Sequence, residues 1–182
     1  TSIQRKNCDI YSKVLLQDFK NNEIELIDKL KEIDKDIIHP FHKYYAVLYA
    51  DGDNIGQILG QINEKKIDVK DFSKQIFDFG IKAAEEINKY GGNGIYLGGE
   101  DILAFLPIVC NYENKDELNT FFCLINSLDD IFKNTVGDFC QKNKLNIPTL
   151  SYGIMISYVK SPLKESMKMA RDLLDEVAKK VP

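Results

Sequence analysis

The chain has 182 residues, 44% of them hydrophobic and 29% charged, which suits one cored domain, or one with an appendage. A net charge of −4 gives no general attraction to nucleic-acid backbones, and the longest apolar runs, such as 102–109, are far too short to cross a bilayer. At the start, Arg5 and Lys6 lead into polar residues without a basic-then-apolar secretion pattern, so a cytoplasmic protein with no membrane contact is expected. Cys8, Cys110, Cys123 and Cys140 are widely separated, and His39 and His42 lie far from all of them. That spacing argues against zinc and disulfides and for thiols in a reducing compartment.

Residues 9–38 carry apolar positions at three- and four-residue steps, which predicts helix, broken at Asn21-Asn22 and ended by His39-Pro40. Tyr44–Ala50 is short, β-branched and aromatic, the pattern of a strand buried on both faces. A helix follows with Phe72, Ile76, Phe79, Ala83, Ile87 and Tyr90 on one face, Asp71 as its cap and Gly91 as its stop. Gly94–Leu97 and Ile102–Val109 read as two strands joined by the four residues Gly98-Gly99-Glu100-Asp101. A second long helix runs from Leu118 to Phe139, Leu150–Val159 is a fourth strand, and Ser161 with Pro162 opens a last helix.

This order predicts an α+β fold: a ferredoxin-like, RRM-like four-stranded antiparallel sheet with its crossover helices on one face. In that topology the first and third strands are central neighbours. The turn Asp51-Gly52-Asp53-Asn54 then meets the hairpin Gly98-Gly99-Glu100-Asp101 at one edge of the sheet. Taken singly, each is an ordinary turn sequence. Taken together, they gather carboxylates whose mutual repulsion a divalent cation would offset. Oxygen-only ligands at this density suit Mg²⁺ or Mn²⁺, used as a pair in phosphoryl transfer. An EF-hand is ruled out because Ile55 and Ile62 stand where oxygen ligands belong.

The runs YYAVLYADGDNIG, GIYLGGEDILAFLPI and TLSYGIMI with SPLKESMKMARDLLDEVAKK follow one another in order over about residues 43–180. Together they resemble the cyclase palm of the large catalytic subunit of type III CRISPR effector complexes and, more distantly, GGDEF nucleotide cyclases. The resemblance implies a palm over 43–182 behind a helical extension over 1–42. It implies an enzyme that joins ATP through 3′–5′ links into cyclic oligoadenylate messengers. Asp51, Glu100 and Asp101 would be the catalytic acidic residues and, with the Gly52 carbonyl, the metal ligands. Gly52, Asp53, Asn54, Gly98, Gly99, Ser151, Gly153 and Lys179 would contact the nucleotide, with Lys179 on the triphosphate. GGED replaces the usual GGDD, and Leu59-Gly60 stand where diguanylate cyclases carry their guanine-reading Asn-Asp pair, which favours adenine.

The resemblance also implies a second palm facing this one, from another copy or a neighbouring domain. Other CRISPR effector subunits, and guide RNA held through them, are further expected partners, and the chain is either an excised domain or a stand-alone palm. Two other readings remain open. One is a silent palm that holds ATP or metal as a scaffold. The other is an RNA-binding sheet, disfavoured because the third strand, ILAFLPIV, lacks aromatic and basic residues in the required pattern.

Overall fold

The computed structural model describes residues 43–110 and 119–180. The helices expected over 9–38, the extension 1–42 and Leu118 lie outside them. Residues Tyr44–Pro182 form a compact unit of their own.

Strand β1 (Tyr44–Gly52) leads into helix α1 (Ile55–Glu64) and the long helix α2 (Val69–Tyr90). Strands β2 (Asn93–Gly98) and β3 (Asp101–Pro107) follow. The two-residue strands β4 (Val109–Cys110) and β5 (Asn119–Thr120) then pair with each other. Helix α3 (Phe121–Phe132) passes through a π segment, Lys133–Gly137, into α4 (Asp138–Lys142). Strand β6 (Leu150–Tyr158) precedes α5 (Leu163–Asp172), which continues through a second π segment, Leu173–Val177, and a 3₁₀ turn, Ala178–Lys180.

The sheet order is β2-β3-β1-β6, antiparallel throughout, so β1 and β3 are central as the element order predicts. Ala46, Val47 and Leu48 are fully buried, the mark of a strand covered on both faces. Ala46, Leu48 and Ala50 of β1 and Ile102, Ala104 and Leu106 of β3 meet Phe72, Phe79 and Ile87 of α2 and Leu124, Leu128 and Phe132 of α3. Both crossover helices therefore share one face of the sheet. Helix α5 packs on the other face, where Gly153 of β6 lies under its backbone. A Cβ there would stand 2.6 Å from Leu174 N and closer still to Ala170 O.

Three local details differ from expectation. Asp68, not Asp71, caps α2: its backbone is extended, its Oδ1 accepts from Lys70 N at 2.9 Å, and Asp71 falls in the first turn. The hairpin pairs Gly98 with Asp101, so its loop is two residues, Gly99-Glu100. Gly99, at φ +83, takes the left-handed first position of such a turn without a Cβ penalty. Helix α5 starts at Leu163 after an extended Pro162, with no side-chain cap from Ser161.

The π segments have a common cause. Leu124, Leu128, Phe132, Val136 and Cys140 are all buried at strict four-residue steps, as are Ser166, Ala170 and Leu174. An ideal α-helix turns 3.6 residues per revolution, so such a row drifts off the buried face unless the helix is locally underwound.

Candidate metal and nucleotide site

Asp51 lies near the end of β1, one residue past the Ala50–Ile102 pair, which sets it beside Asp101 across the β1–β3 ladder. On its other side it pairs with Ser151 of β6. Odd-numbered β1 residues face away from the α2–α3 core, toward the sheet face that α5 partly covers. The two carboxyls lie within hydrogen-bonding reach of each other, and the Lys179 ammonium forms an ion pair with Asp51 Oδ2. The predicted convergence of the two acidic turns is therefore present, with Asp101 as the residue touching Asp51. Glu100 flanks the pair: its Cβ lies 3.0 Å from where a Cβ on Gly52 would stand, so any larger residue there would have to push Glu100 and Ile55 aside.

The electrostatics follow from that contact. The Asp101 carboxyl is pushed up to about 6, first by its hydrogen bond to Asp51, then by burial and by the charges of Asp51 and Glu100. Burial pushes the Asp51 carboxyl up as well. The hydrogen bonds from Asp101 and Lys179, with the Lys179 charge, outweigh that burial and hold Asp51 below the usual carboxylate range. The ammonium of Lys179 is raised in turn, chiefly by its hydrogen bond to Asp51. The pairing makes Asp101 hold its proton more tightly than an isolated carboxyl does, and the Lys179 ammonium is already drawn to Asp51.

The remaining predicted residues take distinct places. Asp53 accepts hydrogen bonds from Ser151 Oγ at 2.9 Å to each oxygen and from Thr149 Oγ1 at 2.8 Å. Asn54 sits in the left-handed region at φ 63 just before α1 and makes no side-chain cap. Among the described residues, no side chain caps the first N–H groups of α1, which have no intrahelical acceptor, and its first turn has no acidic residue. Gly98 lies under the Tyr96 ring, which fills the space a Cβ would need. Gly153 is buried beneath α5, where a Cβ would meet the backbone of Ala170 and Leu174. Thr149 was missed by sequence reasoning. Its only signal was its place two residues before Ser151, just ahead of β6.

Among the described residues, no group of three or more His, Cys, Asp or Glu side chains is set to hold a metal unaided. The donor set at Asp51 still fits a hard cation. Mg²⁺ is held through one or two carboxylates, with waters and substrate phosphates completing its shell. Asp51 and Asp101 supply the carboxylates, the neighbouring Gly52 carbonyl is a third oxygen, and the charges of Asp51 and Glu100, which push Asp101 up, are charges that a cation would relieve. Cys110, Cys123 and Cys140 form no disulfide among the described residues. No helix among the described residues is long and apolar enough to cross a membrane.

A family model described as "Cas10/Cmr2, second palm domain" matches residues 44–182. The CRISPR system Cmr subunit Cmr2 of Pyrococcus furiosus is 30% identical over an alignment of 182 residues, covering 87% of this chain and 19% of that protein. The chain thus spans about a fifth of the length of the curated relative it matches.

Proposed function

The chain belongs to the Cas10/Cmr2 family, as its second palm domain, and from that premise we propose that it is a metal-dependent nucleotidyltransferase acting on ATP within a type III CRISPR effector. The contact of Asp51 with Asp101 at the mouth of the β1–β3 ladder, beside the Gly99-Glu100 turn, carries this reading. In the reaction, the 3′-oxygen of one ATP attacks the α-phosphorus of another. Pyrophosphate leaves, and the hydroxyl proton passes to a nearby base. Repetition and closure give cyclic oligoadenylates.

Asp51, Asp101 and the Gly52 carbonyl would hold Mg²⁺ or Mn²⁺, with Glu100 beside them as a further carboxylate for a second ion. The metal would lower the pKa of the attacking hydroxyl and offset charge on the phosphates. The uncapped N-terminus of α1 supplies N–H donors and a positive dipole end for phosphate oxygens. Lys179 rides on the turn after α5 and would exchange Asp51 for the triphosphate of a bound nucleotide. The partner palm would supply the second nucleotide, since one sheet edge presents one such face.

Incubation of the chain at high concentration with ATP and Mn²⁺, followed by mass spectrometry, tests the proposal. Phosphodiester-linked adenylates are expected from the wild type, and none from Asp51→Ala or Asp101→Ala. ATP-dependent thermal stabilisation without product would favour the silent scaffold instead, a reading supported by the lack of a complete three-ligand group among the described residues.

A further inference from the structure

Asp53 is tied through its side chain and its backbone to residues 149 and 151. Both its carboxylate oxygens accept from Ser151 Oγ at 2.9 Å, and Oδ2 also accepts from Thr149 Oγ1 at 2.8 Å. Its own backbone N donates to Thr149 O at 2.8 Å. These bonds join the turn after β1 to the start of β6, which lies 96 to 98 residues further along the chain.

The turn depends on that attachment. Between Asp51 and α1, Gly52 adds no side chain and Asn54 makes no cap. Asp53 also stands one residue before the cap position of a helix whose N-terminus attracts carboxylates. Were it unheld, its side chain would be drawn toward the N–H groups that open α1. Ser151 and Thr149 turn it toward β6 instead.

We propose that Asp53 is a positioning residue, latched by Ser151 and Thr149. The latch fixes the Gly52 carbonyl beside Asp51 and keeps the α1 N-terminus open to phosphate oxygens. The inference rests on the metal and nucleotide reading above but predicts effects that appear without turnover. Ser151 and Thr149 thereby act through Asp53 and not on the nucleotide.

The test uses the full chain without nucleotide. Free Mn²⁺ is measured by electron paramagnetic resonance, and hydrogen exchange is followed at the Asp53 and Ile58 amides, which are hydrogen-bonded to Thr149 O and Asn54 O. Ser151→Ala/Thr149→Val keeps every carboxylate and removes only the latch donors. It should weaken Mn²⁺ binding on the order of tenfold, as loss of groups that orient metal ligands does, and should speed exchange at both amides. Ser151→Thr, which keeps a hydroxyl, should behave as wild type. If Asp53→Asn weakens Mn²⁺ binding while the double variant binds normally, Asp53 acts by charge alone and the latch is refuted. Unchanged exchange in the double variant refutes it too. A wild type that binds no Mn²⁺ would sink the metal reading instead, and the exchange data would still decide the latch.

Discussion

Gly153→Ala tests whether α5 owes its close seat on the sheet to a single missing side chain. The added Cβ would stand 2.6 Å from Leu174 N and 2.8 Å from Leu174 Cβ, and nearer to Ala170 O. Two of these three obstacles are helix backbone, so no rotamer change relieves the clash and the helix must lift. Overpacking of this kind costs about 1–3 kcal/mol, and a rigid obstacle places Gly153 at the upper end. For a chain of this size, ~3 kcal/mol lowers Tm by roughly 6–12 °C. Gly60 provides the contrast: it lies inside α1, and a Cβ there meets nothing within 4 Å. Gly60→Ala should gain about 0.5–1 kcal/mol through reduced backbone freedom in the unfolded chain. Both are read by calorimetry in EDTA. A Gly153→Ala protein that melts with the wild type would refute the close-approach argument and, with it, the account of how Lys179 is brought to Asp51.

In EDTA, stability should fall as pH rises from about 4 to about 7, because Asp101 binds its proton more tightly folded than unfolded. A folded value of about 6 against 3.8 means that its contribution is whole below 3.8 and lost through about 6. Asp51, held low, acts only below that window. Urea midpoints across this range should slope downward for the wild type and flatten in Asp101→Asn. Lys179→Met should tighten Mn²⁺ binding without nucleotide, since the competing ammonium is gone from Asp51, while raising KM for ATP about tenfold if a charge-assisted hydrogen bond is lost. Loss of Mn²⁺ affinity in that variant would contradict the competition. Tyr152→Phe removes the 2.8 Å bond from Tyr152 Oη to Asp129, at an exposed site. It should cost about 0.5–1 kcal/mol, seen as a small drop in Tm.

The central architecture was legible because β1 and β3 are apolar on both faces and bounded by turn residues, signals that do not depend on distant contacts. Their adjacency followed from element order, and so did the meeting of the DGDN and GGED turns. Which carboxylate touches Asp51 was not legible. That depends on the hairpin loop being Gly99-Glu100, which puts Asp101 on the strand and leaves Glu100 in the turn. Asp68 and Asp71 are the same residue type three positions apart, and only the extended backbone at Asp68 selects the cap. The latch on Asp53 depends on the β1–β6 register across nearly a hundred residues. The seat of Gly153 depends on a helix that local pattern predicts but does not place. Lys179 came from family resemblance alone, because a lysine ending a helix is ordinarily solvated.

The central claim is that Asp51 and Asp101 grip one divalent ion. Crystals grown with Mn²⁺ and a non-hydrolysable ATP analogue, measured for anomalous scattering, address it directly. A peak roughly 2.0–2.2 Å from carboxylate oxygens of both residues, with Lys179 turned to the phosphates, is the predicted result. An analogue bound with no anomalous peak at that pair, and Lys179 still on Asp51, would contradict it.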